Sequence, residues 1–417
     1  MFSKVKYNPI LFIAFYHICR SFILRIEFNS LLHRSVKRFV RYFTISIMKK
    51  KNIAFIISSL NSGGAERVVS TLSNELSNSY NVHIIVFAKG TPFYKLNKKV
   101  QFHYCLPHIG PSKNIFGAVR NNFSLYKKVS ELFNIHKIDL GIAFLTSSNI
   151  IATLAARKNN IPIIISERNN PSTDKTNFFW NTLRKLLYPK ADKLVVQTSL
   201  IQSFFTSWID SSKLHILPNP ISPELKIEAS DEYEKENIIL NVGRLTNQKG
   251  QDILIKAFAN INPTGWKLYI IGQGNKKNEY QKLIHELNLE ESIILLGRKQ
   301  NIQEYYKSAK IFAFPSRYEG FPNALIEAMH MGLPCISTDC PTGPSELIKD
   351  NENGFLTQVD HLAEFTSKLS QLIEDKALRA KFSKLSPLAV QHLTVETVSN
   401  QWEDLINSAL IDYYNKK

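Results

Sequence analysis

The chain has 417 residues, enough for two ordinary domains or three small ones. Its 44% hydrophobic and 21% charged content is that of a globular protein with sizeable cores, which argues against a disordered chain. A net charge of +17 points to an anionic partner: nucleic acid, an anionic membrane surface or a phosphorylated substrate.

The four cysteines, Cys19, Cys105, Cys335 and Cys340, are scattered and form no Cys-x-x-Cys pair. Neither a zinc ribbon nor a disulfide framework is supported, and reduced thiols in a cytosolic protein are the simplest account. The sequence has no Asp-x-Asp and no His-Glu-x-x-His, so no metal site is expected from local spacing.

Residues 1–47 form a basic extension with eight Lys and Arg against one acid, Glu27. The apolar run Ile10–Cys19 is about half of the roughly 20 residues that span a bilayer, and it lacks a signal-peptide cleavage site. Three readings stand: a basic amphipathic membrane-surface segment, an ordinary helical extension, or a stretch upstream of the true start. Met48-Lys-Lys-Lys-Asn-Ile-Ala-Phe-Ile-Ile has the look of a natural beginning, a basic tip running into a strand.

From residue 48 to 222 short apolar runs alternate with helical stretches. Strands are expected at 53–58, 82–87, 140–144, 161–166, 194–197 and 215–217. Such runs, separated by helices, predict a parallel sheet covered on both faces, a doubly wound α/β domain. After the first strand, Gly63-Gly64 lacks the spacing of a dinucleotide fingerprint but permits close backbone approach to a phosphate or sugar. Glu66 follows, placed to suit the positive end of the next helix. The segment 177–188 mixes aromatics, leucines and cations at helical spacing. It fits either a helix lying on an anionic membrane or one packed on its own domain with snorkelling cations.

Pro218-Asn-Pro220 and a polar, acid-rich stretch over 222–237 suggest a linker. The alternation then restarts, giving a second domain at 223–395. Strands are expected at 238–242, 266–271, 293–296, 311–315 and 333–337, with helices between them. Arg244 and Lys249 lie in the loop after the first of these strands, ahead of a helix beginning near Gly250. Two cations beside a helix N-terminus suit a diphosphate, including one departing as its bond to carbon breaks. Gly272 and Gly297-Arg298 mark two further strand ends, each a weak signal alone.

The segment Ser316-Arg-Tyr-Glu-Gly-Phe-Pro-Asn-Ala-Leu-Ile-Glu327 is the richest in the chain. Pro322 suits a first helical turn and Gly332 the residue beyond the last. The apolar residues between predict a mostly buried helix. A carboxylate in such a helix is costly without a partner, and a sugar's hydroxyls would supply one. Residues 362–414 read as helices, with 396–417 returning to the first domain.

Four of these features, in this order, resemble the retaining glycosyltransferase family 4: Gly-Gly-Ala-Glu-Arg at 63–67, the Gly-Arg…Lys-Gly loop, the Glu-x7-Glu spacing of Glu319 and Glu327, and Cys340-Pro-Thr-Gly-Pro-Ser-Glu346. The last, with Ser166-Glu-Arg-Asn-Asn-Pro171, is most similar to members that assemble surface polysaccharides and lipid-linked oligosaccharides. The resemblance covers about residues 50–400. It implies a GT-B fold, two doubly wound Rossmann-like domains facing a central cleft. It also implies a UDP-sugar donor, transfer with retention, and no cofactor or metal.

By the same resemblance, Arg244 and Lys249 hold the diphosphate, Glu327 the ribose and Glu319 the transferred sugar. Gly63 and Gly64 approach the donor from the first domain, and Gly243, Gly272, Arg298, Phe321, Asn323, Ala324 and Leu325 complete the donor side. Many members place a His where this chain has Glu167-Arg168-Asn169, so Arg168 stands in for it or the role is absent. The implied acceptor is a glycan or lipid-linked glycan, reached by an enzyme peripheral on the cytoplasmic face of an anionic membrane. A UDP-sugar epimerase of the same fold is the alternative. The missing fingerprint disfavours an oxidoreductase, and no interleaved aromatic-basic motif supports nucleic-acid binding.

Overall fold

The computed structural model describes residues 50–110, 115–168, 171, 178–225 and 235–416. The basic extension, Asn169, and parts of the 177–188 and 222–237 segments lie outside the described residues. Residues 52–417 make up one unit and 1–51 another.

Within the larger unit, the first domain runs β1 (Asn52–Ile57), α1 (Gly64–Leu76), β2 (Asn81–Ala88), β3 (Gln101–Leu106), α2 (Ile115–Ile135), β4 (Leu140–Phe144), α3 (Thr146–Asn159), β5 (Ile163–Ser166), α4 (Phe178–Leu187), β6 (Lys193–Val196), α5 (Ser199–Phe205) and β7 (Leu214–Ile216). Its seven strands pair in the order β3-β2-β1-β4-β5-β6-β7, all parallel. Alternate residues along each strand feed two separate cores. Ala54 and Ile56 pack with α2 and α3, while Phe55 and Ile57 pack with α1 and the last helix. The central strands are apolar at nearly every position because both faces are covered.

The second domain runs β8 (Ile238–Val242), α6 (Gln251–Ile261), β9 (Lys267–Ile271), α7 (Lys277–Glu286), β10 (Ile293–Gly297), α8 (Ile302–Ser308), β11 (Ile311–Phe314), α9 (Asn323–His330), β12 (Cys335–Thr338), α10 (Pro344–Leu347), β13 (Phe355–Thr357), α11 (Leu362–Glu374) and α12 (Lys376–Val390). Its six parallel strands follow the order β10-β9-β8-β11-β12-β13. In both sheets the order reverses beside the first strand of the domain, where doubly wound sheets open their ligand crevice.

Two strands escaped the sequence reading. β3 is an edge strand with mostly partly exposed residues and a polar composition, and β13 has three residues. The start of the expected linker is only partly solvated: Ser222 and Leu225 are buried while Pro223 and Glu224 are exposed, and the N–H of Ile221, buried just before it, donates to the Leu393 carbonyl at 2.8 Å. The chain returns through α13 (Val395–Lys416), which packs on α1. Trp402, fully buried, stacks on Phe144 of β4 at 5.7 Å between ring centroids. No helix among the described residues is long and apolar enough to cross a membrane.

Candidate active site

The site grows from the carboxyl ends of β8 and β11, neighbours in the second sheet. After β8 the chain passes Arg244, makes one 3-10 turn at Asn247–Lys249 and enters α6 through Gly250, which sits at φ +63°. A Cβ at Gly250 would lie 2.0 Å from the Pro315 carbonyl oxygen, so this glycine permits the β8 and β11 loops to touch. Lys249 thereby reaches across 70 positions of sequence, and its Nζ donates to Glu319 at 2.5 Å. The same ammonium lies 5.3 Å from the centre of the Phe314 ring. Glu319 is 5% exposed, and the ammonium gives this buried carboxylate a partner.

The 316–322 loop is held from several sides. Arg317 clamps Asp252 through two hydrogen bonds of 3.0 and 2.7 Å and also reaches Asp360. Burial opposes its charge, but the hydrogen bonds to Asp252, the leading influence, raise its pKa further. From β12 and the loop after it, the Thr338 hydroxyl donates to the Ser316 carbonyl and the Thr342 hydroxyl to the Glu319 carbonyl. The Cys-Pro-Thr-Gly-Pro-Ser-Glu motif thus acts as a brace behind the carboxylate loop. Helix α9 begins one residue later than the sequence suggests. Pro322 is its cap, and the Pro322 carbonyl accepts from the Leu325 and Ile326 N–H groups.

Glu327 is buried inside α9 and has two partners. Tyr306 of α8 donates its hydroxyl at 2.9 Å, and Arg67 of α1, in the other domain, forms an ion pair with it. Burial is the largest single influence on the Arg67 guanidinium and lowers its pKa, but the Glu327 carboxylate, with Tyr94 and Tyr306, turns the net shift upward. Sequence reasoning named the Gly-Gly-Ala-Glu-Arg turn for its glycines and overlooked its arginine.

Further contacts join the two strand-end surfaces. Gly64 faces Asn323, where a Cβ would come within 2.9 Å of the side-chain nitrogen. Asn323 also accepts from Asn219 at 2.7 Å, and Asn219 accepts from Arg168 at 2.5 Å. Gly320 lies so close to the end of β5 that a Cβ would stand 2.6 Å from the Arg168 carbonyl. Arg298 lies over the Phe93 ring of the first domain at 5.6 Å. The Glu66 carboxylate folds back over Gly63, and burial raises its pKa against the pull of its own N–H and of Arg244.

The expected residues divide by placement. Glu319, Lys249, Arg244, Glu327, Gly64, Asn323, Arg298 and Arg168 gather where the two sheets' carboxyl edges meet. Gly243 and Gly272 meet each other instead: a Cβ on Gly272 would fall 1.9 Å from the Gly243 carbonyl oxygen, so the pair lets adjacent strand ends close together. Leu325 is fully buried in the second domain's core, where Phe321 and Ala324 pack against it. Five cations (Arg67, Arg168, Arg244, Lys249, Arg298) stand against four carboxylates (Glu66, Glu167, Glu319, Glu327), a net positive balance that favours an anionic ligand.

Arg168 is the unusual member of this group. Its guanidinium is buried, 4.6 Å from the centre of the Phe144 ring and 5.8 Å from that of Trp402. Two of its nitrogens, Nε and Nη2, have no hydrogen-bond partner among the described residues. Burial lowers its pKa, with Glu167 opposing. Glu167 is itself fully buried, accepting from Tyr188 at 2.7 Å and Thr146 at 3.1 Å, with Arg184 at 3.6 Å. Arg184 of α4 therefore turns inward rather than snorkelling.

Comparison with known proteins agrees with this fold. Residues 62–225 match the family model described as Glycosyltransferase Family 4, and residues 223–387 the one described as Glycosyl transferases group 1. In Campylobacter jejuni, the N-acetylgalactosamine-N,N'-diacetylbacillosaminyl-diphospho-undecaprenol 4-alpha-N-acetylgalactosaminyltransferase is 35% identical, the match covering 80% of this chain and 93% of that protein. Amylovoran biosynthesis glycosyltransferase AmsD of Erwinia amylovora is 31% identical over 83% of this chain and 97% of its own. Among solved structures, Anabaena HepE in complex with UDP-glucose shares the fold, with a TM-score of 0.71 at 21% identity, covering 86% of this chain and 99% of that one. Since the likeness to the first two enzymes runs over nearly their whole length, this chain belongs to the glycosyltransferases, a family 4-type domain joined to a group 1 domain.

Proposed function

We propose that the chain moves a hexose or N-acetylhexosamine from a UDP-sugar to a growing glycan, retaining the anomeric configuration and using no metal. The observation that carries the reading is the Lys249–Glu319 pair, made at the carboxyl edge of the second sheet beside Arg244. Lys249 and Arg244 take the diphosphate, and Glu319 accepts hydroxyl hydrogens of the donor sugar and orients its anomeric carbon. The bond from that carbon to the phosphate oxygen breaks, and its electron pair leaves with the phosphate, where the two cations stabilise it. The acceptor hydroxyl bonds to the same face of the sugar, and its proton passes to the departing phosphate oxygen. Glu327 binds the ribose hydroxyls, with Arg67 and Tyr306 fixing its carboxylate. Arg168 supplies guanidinium hydrogens to the donor sugar from the first domain.

The Campylobacter relative's acceptor is diphospho-undecaprenol-linked, and the Erwinia relative serves the biosynthesis of amylovoran. These support a lipid-linked oligosaccharide or surface polysaccharide precursor as the acceptor, met on the cytoplasmic face of a membrane. Phe179 and Leu186 of α4 are 49% and 60% exposed, with Lys185 exposed between them, which suits an anionic lipid surface. The test is incubation with a panel of nucleotide-sugars and lipid-linked acceptors, read by mass spectrometry. Transfer is expected from a UDP-sugar, undiminished by excess chelator, and lowered at least about 100-fold in Glu319→Ala and Lys249→Ala. Wild-type turnover in either folded variant overturns the site, and a strict metal requirement overturns the mechanism. Interconversion of UDP-sugars without any acceptor would favour the epimerase.

A further inference from the structure

Three histidines meet on the first domain, away from the transfer cleft. His83 is the third residue of β2, His103 the third of β3, and His136 follows the end of α2. Their placement follows from topology. The two strands are paired in parallel with Ile85 opposite His103, so His83 and His103 lie one step apart on the face that α2 covers. α2 runs from the carboxyl end of β3 back toward the start of β4, so its end delivers His136 to the amino-terminal half of the sheet. The cleft lies beyond the opposite, carboxyl edge.

The rings are packed together. His83 Nδ1 and His103 Nε2 are 3.1 Å apart. Centroids lie 5.3 Å apart for His83 and His103, 5.0 Å for His83 and His136, and 4.2 Å for His103 and His136. One potential ligand nitrogen from each ring lies within 4.8 Å of the others. Three imidazoles have three acceptor nitrogens when neutral, and one shared hydrogen bond accounts for only one of them. The ring of His136 makes no hydrogen bond among the described residues. His83 is 3% exposed, whereas His103 and His136 are partly open to solvent, which leaves an entry path.

We propose that His83, His103 and His136 form a binding site for a divalent transition-metal ion of the zinc class. In a tetrahedral zinc site with bonds of about 2.0–2.1 Å, ligand nitrogens stand about 3.3 Å apart. The 3.1 Å contact is close to one such edge, and with all three ligand atoms within 4.8 Å of one another, binding requires the His136 ring to draw closer to the other two. Imidazole nitrogen suits zinc, copper or nickel rather than magnesium or calcium. The fourth position is left to water or a small anion. A bound ion joins an edge strand, its neighbour and the end of a helix, three segments distant in sequence, so its effect is to fasten this edge of the domain.

The test uses the full chain, stripped with chelator and dialysed, then titrated with Zn2+ and separately with Co2+. One equivalent should bind with an unfolding midpoint raised by about 3 °C or more. Co2+ should give the visible absorption of a tetrahedral nitrogen site. His136→Ala should weaken binding at least about tenfold and abolish the thermal shift. This variant removes a ring at the rim and carries the test if His83→Ala fails to fold. His285→Ala, on the surface of the second domain, should bind as the wild type does. No uptake by the wild type, or equal uptake by His136→Ala, would overturn the proposal.

Discussion

Glu327 takes its charge partner, Arg67, from the other domain. Replacing Arg67 by Met leaves a buried carboxylate with one hydroxyl donor, and the expected loss is about 3 kcal/mol in denaturant unfolding. If Glu327 holds the ribose, UDP affinity should fall with it. Glu66 gives a pH signature. Its carboxyl is raised above the reference of 4.5 by burial, so the folded form keeps its proton where the unfolded form has lost it. The stability this contributes is full below pH 4.5 and is lost as pH rises through the raised folded value. Glu66→Gln should therefore flatten the thermal midpoint across the window just above pH 4.5, as read by calorimetry at several pH values. Glu319, Lys249 and Glu327 were legible one at a time because their spacings are local. That Lys249 touches Glu319 was not, since it depends on β8 lying beside β11. The histidine cluster was invisible for the same reason, its members coming from separate segments with no metal-binding spacing.

Among elements, strands with both faces covered were the easiest to read. The run Leu140–Phe144 is apolar at almost every position because helices lie on both sides, and its bounds follow directly from the sequence. β3 reads Gln-Phe-His-Tyr-Cys-Leu, and an edge strand with such a polar face has no continuous run to detect. The last helix matters to the site as well as to the core. Trp402→Ala removes a fully buried ring that stacks on Phe144 and lies beside Arg168. The expected cost is about 3–5 kcal/mol in urea unfolding. Transfer by the fraction that remains folded should also fall, because Arg168 loses one of its two aromatic neighbours.

In the whole molecule, the two domains meet along their strand ends, and the proposed function depends on that meeting. At Gly320 the meeting leaves no room for a Cβ. Gly320→Ala pushes a methyl toward the Arg168 carbonyl and should lower kcat/KM at least about tenfold with little change in the unfolding of either core. A membrane-facing role for α4 is tested by sedimentation with anionic vesicles. Binding should weaken with added salt and in the double variant Phe179→Ser, Leu186→Ser, while neutral vesicles should retain little protein. The division into two α/β halves was legible from the restart of strand-helix alternation at residue 238. The partly buried start of the connection was not, because its polar, acid-rich composition also suits a solvated linker.

The route of the chain has a practical result for dissecting the enzyme. The first domain's core is completed by α13, which arrives only after the second domain has been traversed, and the two crossings lie side by side where Ile221 bonds to Leu393. A fragment ending at residue 222 would leave Phe144 without the aromatic ring that covers it. Cutting the chain once between the domains should therefore yield pieces that stay associated, since each half retains a part the other needs. Expressed as separate fragments, residues 50–222 should remain soluble only when a peptide spanning 395–416 is supplied.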